Sequence, residues 1–172
     1  MAYQFDQISI LIVEDTQPTA LLVRSILETF GVKKIYMARN GDDGFHMFCR
    51  HNPDIVIADW MMAPTNGIAL AHMIRNEPAS PNPFVPVILM TGFSEKSRVM
   101  DARDAGVTEF LVKPFQAKDL YKRIVQVTER PRQFVRTEEF FGPDRRRTVD
   151  GEYKGERRRQ GDRNGSPEDS KT

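Results

Sequence analysis

Ile8-Ser9-Ile10-Leu11-Ile12-Val13-Glu14-Asp15 is a run of mostly β-branched and aliphatic residues that stops on two carboxylates. A short apolar run with almost no polar alternation reads as a strand buried on both faces, as in a parallel sheet covered by helices. Asp54-Ile55-Val56-Ile57-Ala58-Asp59 repeats the pattern and again ends on a carboxylate. Between and after these strands the period changes to that of helices. Asp15 or Thr16 can cap a helix with Pro18 in its first turn, an apolar stripe at Ala20, Val23, Ile26, Leu27 and Phe30, and Gly31 as its stop. Lys33 to Ala38 is a short strand, and Asn40-Gly41 turns into a helix carrying Phe45 and Phe48 that ends at Asn52-Pro53. Gly67 to Arg75 is a third helix, followed by a Pro-rich loop from Asn76 to Phe84. Val85 to Met90 is a strand, Ser94 caps a fourth helix to about Ala105, and Thr108 to Val112 is a fifth strand. Ala117, Leu120, Ile124 and Val127 mark a fifth helix. Five strands alternating with five helices predict an α/β fold, a doubly wound five-stranded parallel sheet with helices on both faces.

In such a sheet the site lies at the carboxyl ends of the strands. Glu14 and Asp15 end the first strand, Asp59 the third, Thr91-Gly92 the fourth and Lys113-Pro114 the fifth. Three carboxylates, a hydroxyl and an ammonium therefore converge on one rim. Carboxylates crowded together resist ionising without a counter-charge. A hard divalent cation such as Mg²⁺, which takes oxygen ligands and bridges carboxylates to phosphate, meets that need. The ammonium and the hydroxyl add a charge and a hydrogen bond for a phosphoryl oxygen, so the inventory suits binding and moving a phosphoryl group. No Ser-His-Asp order fits, and no Gly-rich phosphate loop is present.

Composition narrows the class further. Lys and Arg number 25 against 24 Asp and Glu, a formal net charge of +1 that gives no whole-chain signal for nucleic acid or an acidic membrane. The single cysteine, Cys49, excludes an intramolecular disulfide framework and a multi-Cys zinc site. The first apolar run is too short for a signal peptide or a membrane span, so a cytoplasmic setting with no membrane partner is expected. His46, His51 and His72 lack ligand partners at useful spacing and read as surface groups. Trp60, next to Asp59, reads either as a gate to the site or as a half-buried rim aromatic.

Taken in order, Ile10-Leu11-Ile12-Val13-Glu14-Asp15, Asp54-Ile55-Val56-Ile57-Ala58-Asp59-Trp60 with Gly67 eight residues after Asp59, Met90-Thr91-Gly92, and Phe110-Leu111-Val112-Lys113-Pro114-Phe115 resemble the receiver domain of two-component response regulators. The likeness covers about residues 7–130 and suits a stand-alone, chemotaxis-regulator-like receiver with the flavodoxin-like fold. It implies that Asp59 accepts a phosphoryl group from a sensor histidine kinase or histidine phosphotransfer protein. It implies Mg²⁺ held by Glu14, Asp15, Asp59 and the backbone carbonyl of Met61. It implies that Thr91 and Lys113 contact the phosphoryl group, and that Phe110 is the aromatic that rotates with Thr91 as the switch. Such a protein is no enzyme in the ordinary sense, but a phosphoacceptor that assists its own phosphorylation and dephosphorylation. The resemblance also implies that Met61 and Phe93 flank the path of hydrolytic water; neither orients water, so a slow dephosphorylation is expected. Two positions depart from the family pattern: Ala63 stands where Pro is usual, with Pro64 after it, and Phe110 stands in place of Tyr.

Composition changes sharply near Glu129-Arg130-Pro131. Residues 131–172 hold only six residues of the hydrophobic set among eleven basic and nine acidic ones. So few apolar groups do not offset an ordering cost of roughly 1–2 kcal/mol per residue. The reading is therefore a receiver domain at 1–130 and a polar, Arg-rich, disordered C-terminal tail at 131–172. Within the tail, Phe141-Gly142-Pro143-Asp144-Arg145-Arg146-Arg147 is echoed twelve residues later by Tyr153-Lys154-Gly155-Glu156-Arg157-Arg158-Arg159. The triplets are candidate docking motifs for a partner. The tail is too small and polar for a DNA-binding output domain, and its slight positive charge argues against strong binding to nucleic acid. Output is then expected through a downstream protein target, with dimerisation on phosphorylation left open. Two other readings use the same residues: a phosphate shuttle or sink in a phosphorelay, and a receiver regulating an Arg-rich nucleic-acid-binding tail.

Overall fold

A computed structural model describes residues 4–92 and 99–144 of the chain. Its elements run β1 (Ser9–Val13), α1 (Gln17–Thr29), β2 (Lys34–Ala38), α2 (Gly41–His51), β3 (Ile55–Asp59), α3 (Gly67–Asn76), β4 (Val87–Thr91), α4 (Val99–Asp104), β5 (Glu109–Val112), α5 (Ala117–Glu129), β6 (Phe134–Arg136) and β7 (Phe141–Pro143). The first five strands form one parallel sheet in the order β2-β1-β3-β4-β5. The expected doubly wound α/β architecture is present, and the chain order switches between β1 and β3, where such sheets open their crevice.

Alternation along the buried strands sorts the core into two layers. Leu11, Val13, Val56, Ala58, Val87 and Leu89 face Phe48 of α2, Leu70 and Ile74 of α3 and Ala102 of α4. Ile10, Ile12, Ile55, Ile57, Ile88 and Met90 face Val23 and Leu27 of α1 and Leu120, Ile124 and Val127 of α5. A strand covered on both sides can spare no position for polar side chains, which is why these runs are apolar without gaps. Register is pinned at the start of β1 by Asp54, whose Oδ2 accepts from Ser9 N–H at 2.8 Å and Ser9 Oγ at 3.1 Å. Helix starts are set by short polar side chains: Asn40 Oδ1 accepts from Asp43 N–H, and Asn66 Oδ1 from Ala69 N–H. Gln116 and Asp119 form a capping box on α5. The expected Ser94 cap of the fourth helix lies outside the described residues.

The described chain continues past Arg130 with two short strands, inside the stretch 131–172 most of which is expected to be disordered. β6 and β7 pair antiparallel, with Phe134 opposite Pro143 and Arg136 opposite Phe141. Their connection closes by Thr137 N–H donating to the Phe140 carbonyl at 2.7 Å and Phe140 N–H donating to Thr137 Oγ1 at 3.0 Å. Two strands of three residues have no stability of their own. They stand because they pack on the sheet body: Phe84, Phe134 and Phe141 meet pairwise with centroids 5.1 to 5.6 Å apart. The Arg75 guanidinium lies 4.9 Å from the Phe134 ring centre. Four of the tail's six apolar residues fall within residues 134–141, and an average over the whole tail conceals that cluster.

Candidate functional site

Strand ends bring the predicted rim residues together. Glu14 follows β1 directly, and its N–H donates to the Ala38 carbonyl of β2 at 3.0 Å. Asp59 closes β3 and Thr91 closes β4, while Lys113 follows β5 and donates its N–H to the Thr91 carbonyl at 2.7 Å. Glu14, Asp59 and Thr91 are buried, at 2%, 7% and 3% exposure. Lys113 reaches across the crevice: its Nζ lies 2.8 Å from Asp59 Oδ1 and 3.1 Å from Glu14 Oε2. The other Glu14 oxygen accepts from Thr16 N–H at 3.2 Å.

One ligand atom from each of Glu14, Asp15 and Asp59 lies within 4.8 Å of the others. That is a hard, all-oxygen donor set of net charge −3 against a single ammonium, which fits Mg²⁺ better than a soft metal. The electrostatics record the crowding. Burial pushes the Glu14 carboxyl up, and Asp59 adds repulsion, against the Thr16 N–H and Lys113, which pull it down. For Lys113, burial works to lower its pKa, yet the hydrogen bond and charge of Asp59, followed by Glu14, raise it above the ordinary lysine value. The site thus holds its ammonium firmly charged and still lacks positive charge.

The β3–α3 turn is close. Gly67 N–H donates to the Trp60 carbonyl at 3.1 Å, and a Cβ at Gly67 would strike the Asp59 carbonyl oxygen. Glycine is therefore required eight residues after Asp59. The loop carrying Met61 is tied to α2: Gly41 N–H donates to the Thr65 carbonyl at 2.9 Å, and Thr65 Oγ1 donates to Asp42 at 2.8 Å. Both Ala63-Pro64 and Lys113-Pro114 are cis.

The response regulator receiver domain model matches residues 10–125. The chain belongs to the response regulator receiver family. This receiver is similar to the chemotaxis protein CheY of Pseudomonas aeruginosa, 29% identical over 121 residues that cover 70% of this chain and 96% of CheY. It is also similar to the phosphate regulon transcriptional regulatory protein PhoB of the same bacterium, 27% identical over 122 residues. That match takes in 71% of this chain but 52% of PhoB, so the chain spans about half of that relative's length. Among solved structures, the receiver domain of NtrX from Brucella abortus superposes with a TM-score of 0.64 at 25% identity, covering 71% of this chain and 99% of that one.

Elsewhere in the receiver the predicted residues divide. Phe110 of β5 is half-buried against the α2–α3–α4 layer and lines a cavity of about 220 Å³ that Thr91 also lines. Trp60 is neither a gate nor a half-buried rim aromatic: at 4% exposure it packs into the layer of Val56 and Ala58. Side chains alternate along an extended chain, so Trp60 follows Ala58 inward and away from the Asp59 carboxylate. Met61 instead is exposed. His46 and His72 are exposed as expected, and His51 stacks on Tyr36 at 4.1 Å. Phe93 and the triplets Arg145, Arg146, Arg147 and Arg157, Arg158, Arg159 lie outside the described residues. Among the described residues no helix is long and apolar enough to cross a membrane.

Sequence reasoning missed Arg75. This side chain is 3% exposed, and burial pushes its guanidinium down to about 9, leaving it charged at neutral pH. It donates to the carbonyls of Gly106 (3.0 Å), Pro83 (2.8 Å) and Val85 (2.6 Å) and to Thr108 Oγ1 (3.3 Å). It thereby ties α3 to the loops before β4 and β5. Also missed were Glu109 and Arg132, paired at 3.0 Å. The available signal for Arg75 was its place four residues after Ala71 on the buried stripe of α3.

Proposed function

We propose that this receiver is phosphorylated on Asp59 by a sensor histidine kinase or histidine phosphotransfer protein and that the modification switches contacts with a downstream protein. The observation that carries the reading is the Asp59 carboxylate, held at 2.8 Å by Lys113 Nζ beside the Glu14 and Asp15 ligand atoms. An Asp59 oxygen would attack phosphorus in line as the P–N bond to the donor histidine breaks, the electron pair leaving with the imidazole. Glu14, Asp15, Asp59 and the Met61 carbonyl would hold Mg²⁺, which supplies charge neutralisation for the transferring group. Lys113 would follow a phosphoryl oxygen from its present seat between two carboxylates, and Thr91 would donate its hydroxyl to another. Glu14, Asp59 and Thr91 are buried, while Asp15 of the same cluster is exposed and leaves the rim open to the donor.

The switch in this reading is Thr91 with Phe110, and the responding face is α4, β5 and α5. The proposed setting is cytoplasmic, where the donor domain would meet it. The two Arg triplets are proposed as docking elements for an acidic partner surface. The test is phosphorylation by acetyl phosphate. Label should appear with Mg²⁺, vanish with chelation, and be absent in Asp59→Asn, whose amide forms no acyl phosphate. Label that persists in that variant refutes Asp59 as acceptor.

A further inference from the structure

Residues 131–144 lie beyond the stretch matched by the receiver family, and their seat on the domain is specific. Gly142 lies so close to the turn between α4 and β5 that a Cβ there would come within 2.9 Å of Gly106 Cα. Gly106 itself has a φ of +93°, which no side chain takes easily. Phe134 covers the buried Arg75, and Phe141 packs on Phe84. Arg132, at the root of the segment, reaches Glu109 at 3.0 Å, and Glu109 also faces Arg123 of α5 at 3.9 Å. Only the first copy of the repeated motif fits this seat. In the second copy Lys154 stands where Gly142 stands in the first, and its Cβ alone would meet the turn. The first copy, at Gly142, lies with its backbone against the domain.

Glu109 and Phe110 are neighbours on β5, and Thr91, Glu109, Phe110 and Arg132 all line the cavity of about 220 Å³. The hydroxyl assigned to the phosphoryl group and the guanidinium that roots the segment thus border one space. We propose that residues 131–144 are a latch, docked on the α4–β5 turn when Asp59 is free and loosened when Asp59 is phosphorylated. This rests on the phosphorylation reading above. Drawing Thr91 toward a phosphoryl group leaves room that the Phe110 ring enters, and a ring that turns within this cavity changes the space beside the Arg132–Glu109 pair that lines it too. The contact of Gly142 on Gly106 has no slack to follow. A hairpin this short has no independent stability, so a small bias at its root changes its docked fraction. Release would free residues 131–144, which lead into the Arg-rich sequence that begins at Arg145, for contact with a partner.

The experiment is amide hydrogen exchange on the full chain, with and without beryllofluoride and Mg²⁺ as the phosphoryl mimic. Amides of residues 134–143 should exchange faster in the mimic state. Linkage requires the reverse effect: Arg132→Gln and Phe134→Ala should each tighten beryllofluoride binding, by roughly 5-fold, the lower end of ordinary coupling between sites. Two different anchors are varied so that a folding defect in one leaves the other to decide. If β4 and β5 respond to the mimic while residues 134–143 exchange unchanged or more slowly, the latch is overturned and the phosphorylation reading stands. If the mimic affects wild type and Asp59→Asn alike, both are overturned.

Discussion

Replacing Lys113 by Met should destabilise the domain, and Mg²⁺ should restore the variant more than it helps the wild type. At an effective dielectric constant of roughly 20, attractions over the observed 2.8 and 3.1 Å come to about 6 and about 5 kcal/mol before desolvation. Removing one partner of a fully buried pair costs about 3–5 kcal/mol. The Lys113 side chain is 31% exposed, so water screens part of this; the expected cost is about 2–3 kcal/mol. Met keeps the apolar stem and removes only the charge. Asp59 and Glu14 are then left facing each other with no cation, and a divalent ion gains what the ammonium lost. At a concentration ten times its Kd, an ion that binds only the folded state stabilises by about 1.4 kcal/mol. The variant, with no ammonium competing for its carboxylates, should reach that gain at lower Mg²⁺.

The same variant has a pH signature. Glu14 is raised above its ordinary value chiefly by burial. A carboxyl raised in the folded state favours folding below its unfolded pKa, and that contribution is lost as pH rises through the folded value. Lys113 is one of the groups holding Glu14 down, so its removal raises Glu14 further and the deficit should shrink from pH 7 toward pH 5. Lys113 itself titrates above the lysine range and adds nothing in this window. The assay is urea unfolding followed by the fluorescence of Trp60, the only tryptophan and a core residue. Equal stabilisation of both proteins by Mg²⁺, with a deficit that does not change with pH, would refute this account of the site's charge balance.

A chain ending after Arg130 should be less stable by about 1–3 kcal/mol than one ending after Asp144, because it loses the ring contacts of Phe134 and Phe141 with Phe84 and uncovers Arg75; equal urea midpoints would show that the hairpin contributes nothing. Arg75→Lys should cost about 2–4 kcal/mol, since one ammonium keeps the buried charge but cannot reach acceptors on the Nε, Nη1 and Nη2 sides at once. Its unfolding midpoint gives the answer, and a cost under half a kcal/mol would contradict the four-bond account. Met61, exposed two residues after Asp59, should slow loss of the phosphoryl group; Met61→Asn should quicken decay after the donor is removed, and an unchanged lifetime would dismiss Met61 as a shield.

The rim was legible because each of its residues is positioned by a local rule. Buried parallel strands are apolar until they end, so the first charged residue after the run marks the rim, as at Glu14, Asp59 and Lys113. Trp60 was legible too, had the alternation of Val56 and Ala58 been carried one step beyond the strand. Arg75 was harder, because a basic residue in the last turn of a helix is ordinarily a surface group near the negative end of the dipole. Its partners are carbonyls of loops ten and thirty-one residues away, and backbone carbonyls leave no mark in a sequence.

The hairpin fails to show for a related reason. Composition tests whether a segment can build a core alone, and residues 131–172 cannot. Docking onto a surface already built asks less: a few apolar side chains and a matching shape. Phe134 and Phe141 find Phe84 in the loop after α3, and Gly142 finds Gly106 in the turn before β5. Both seats exist only after the five-stranded sheet has folded. A glycine beside an aromatic is the trace such docking leaves, because close approach of two backbones removes room for a Cβ. In Phe141-Gly142-Pro143 that trace is present, and in Tyr153-Lys154-Gly155 the lysine breaks it, so the echo in the sequence divides at the residue that lies against the Gly106 backbone.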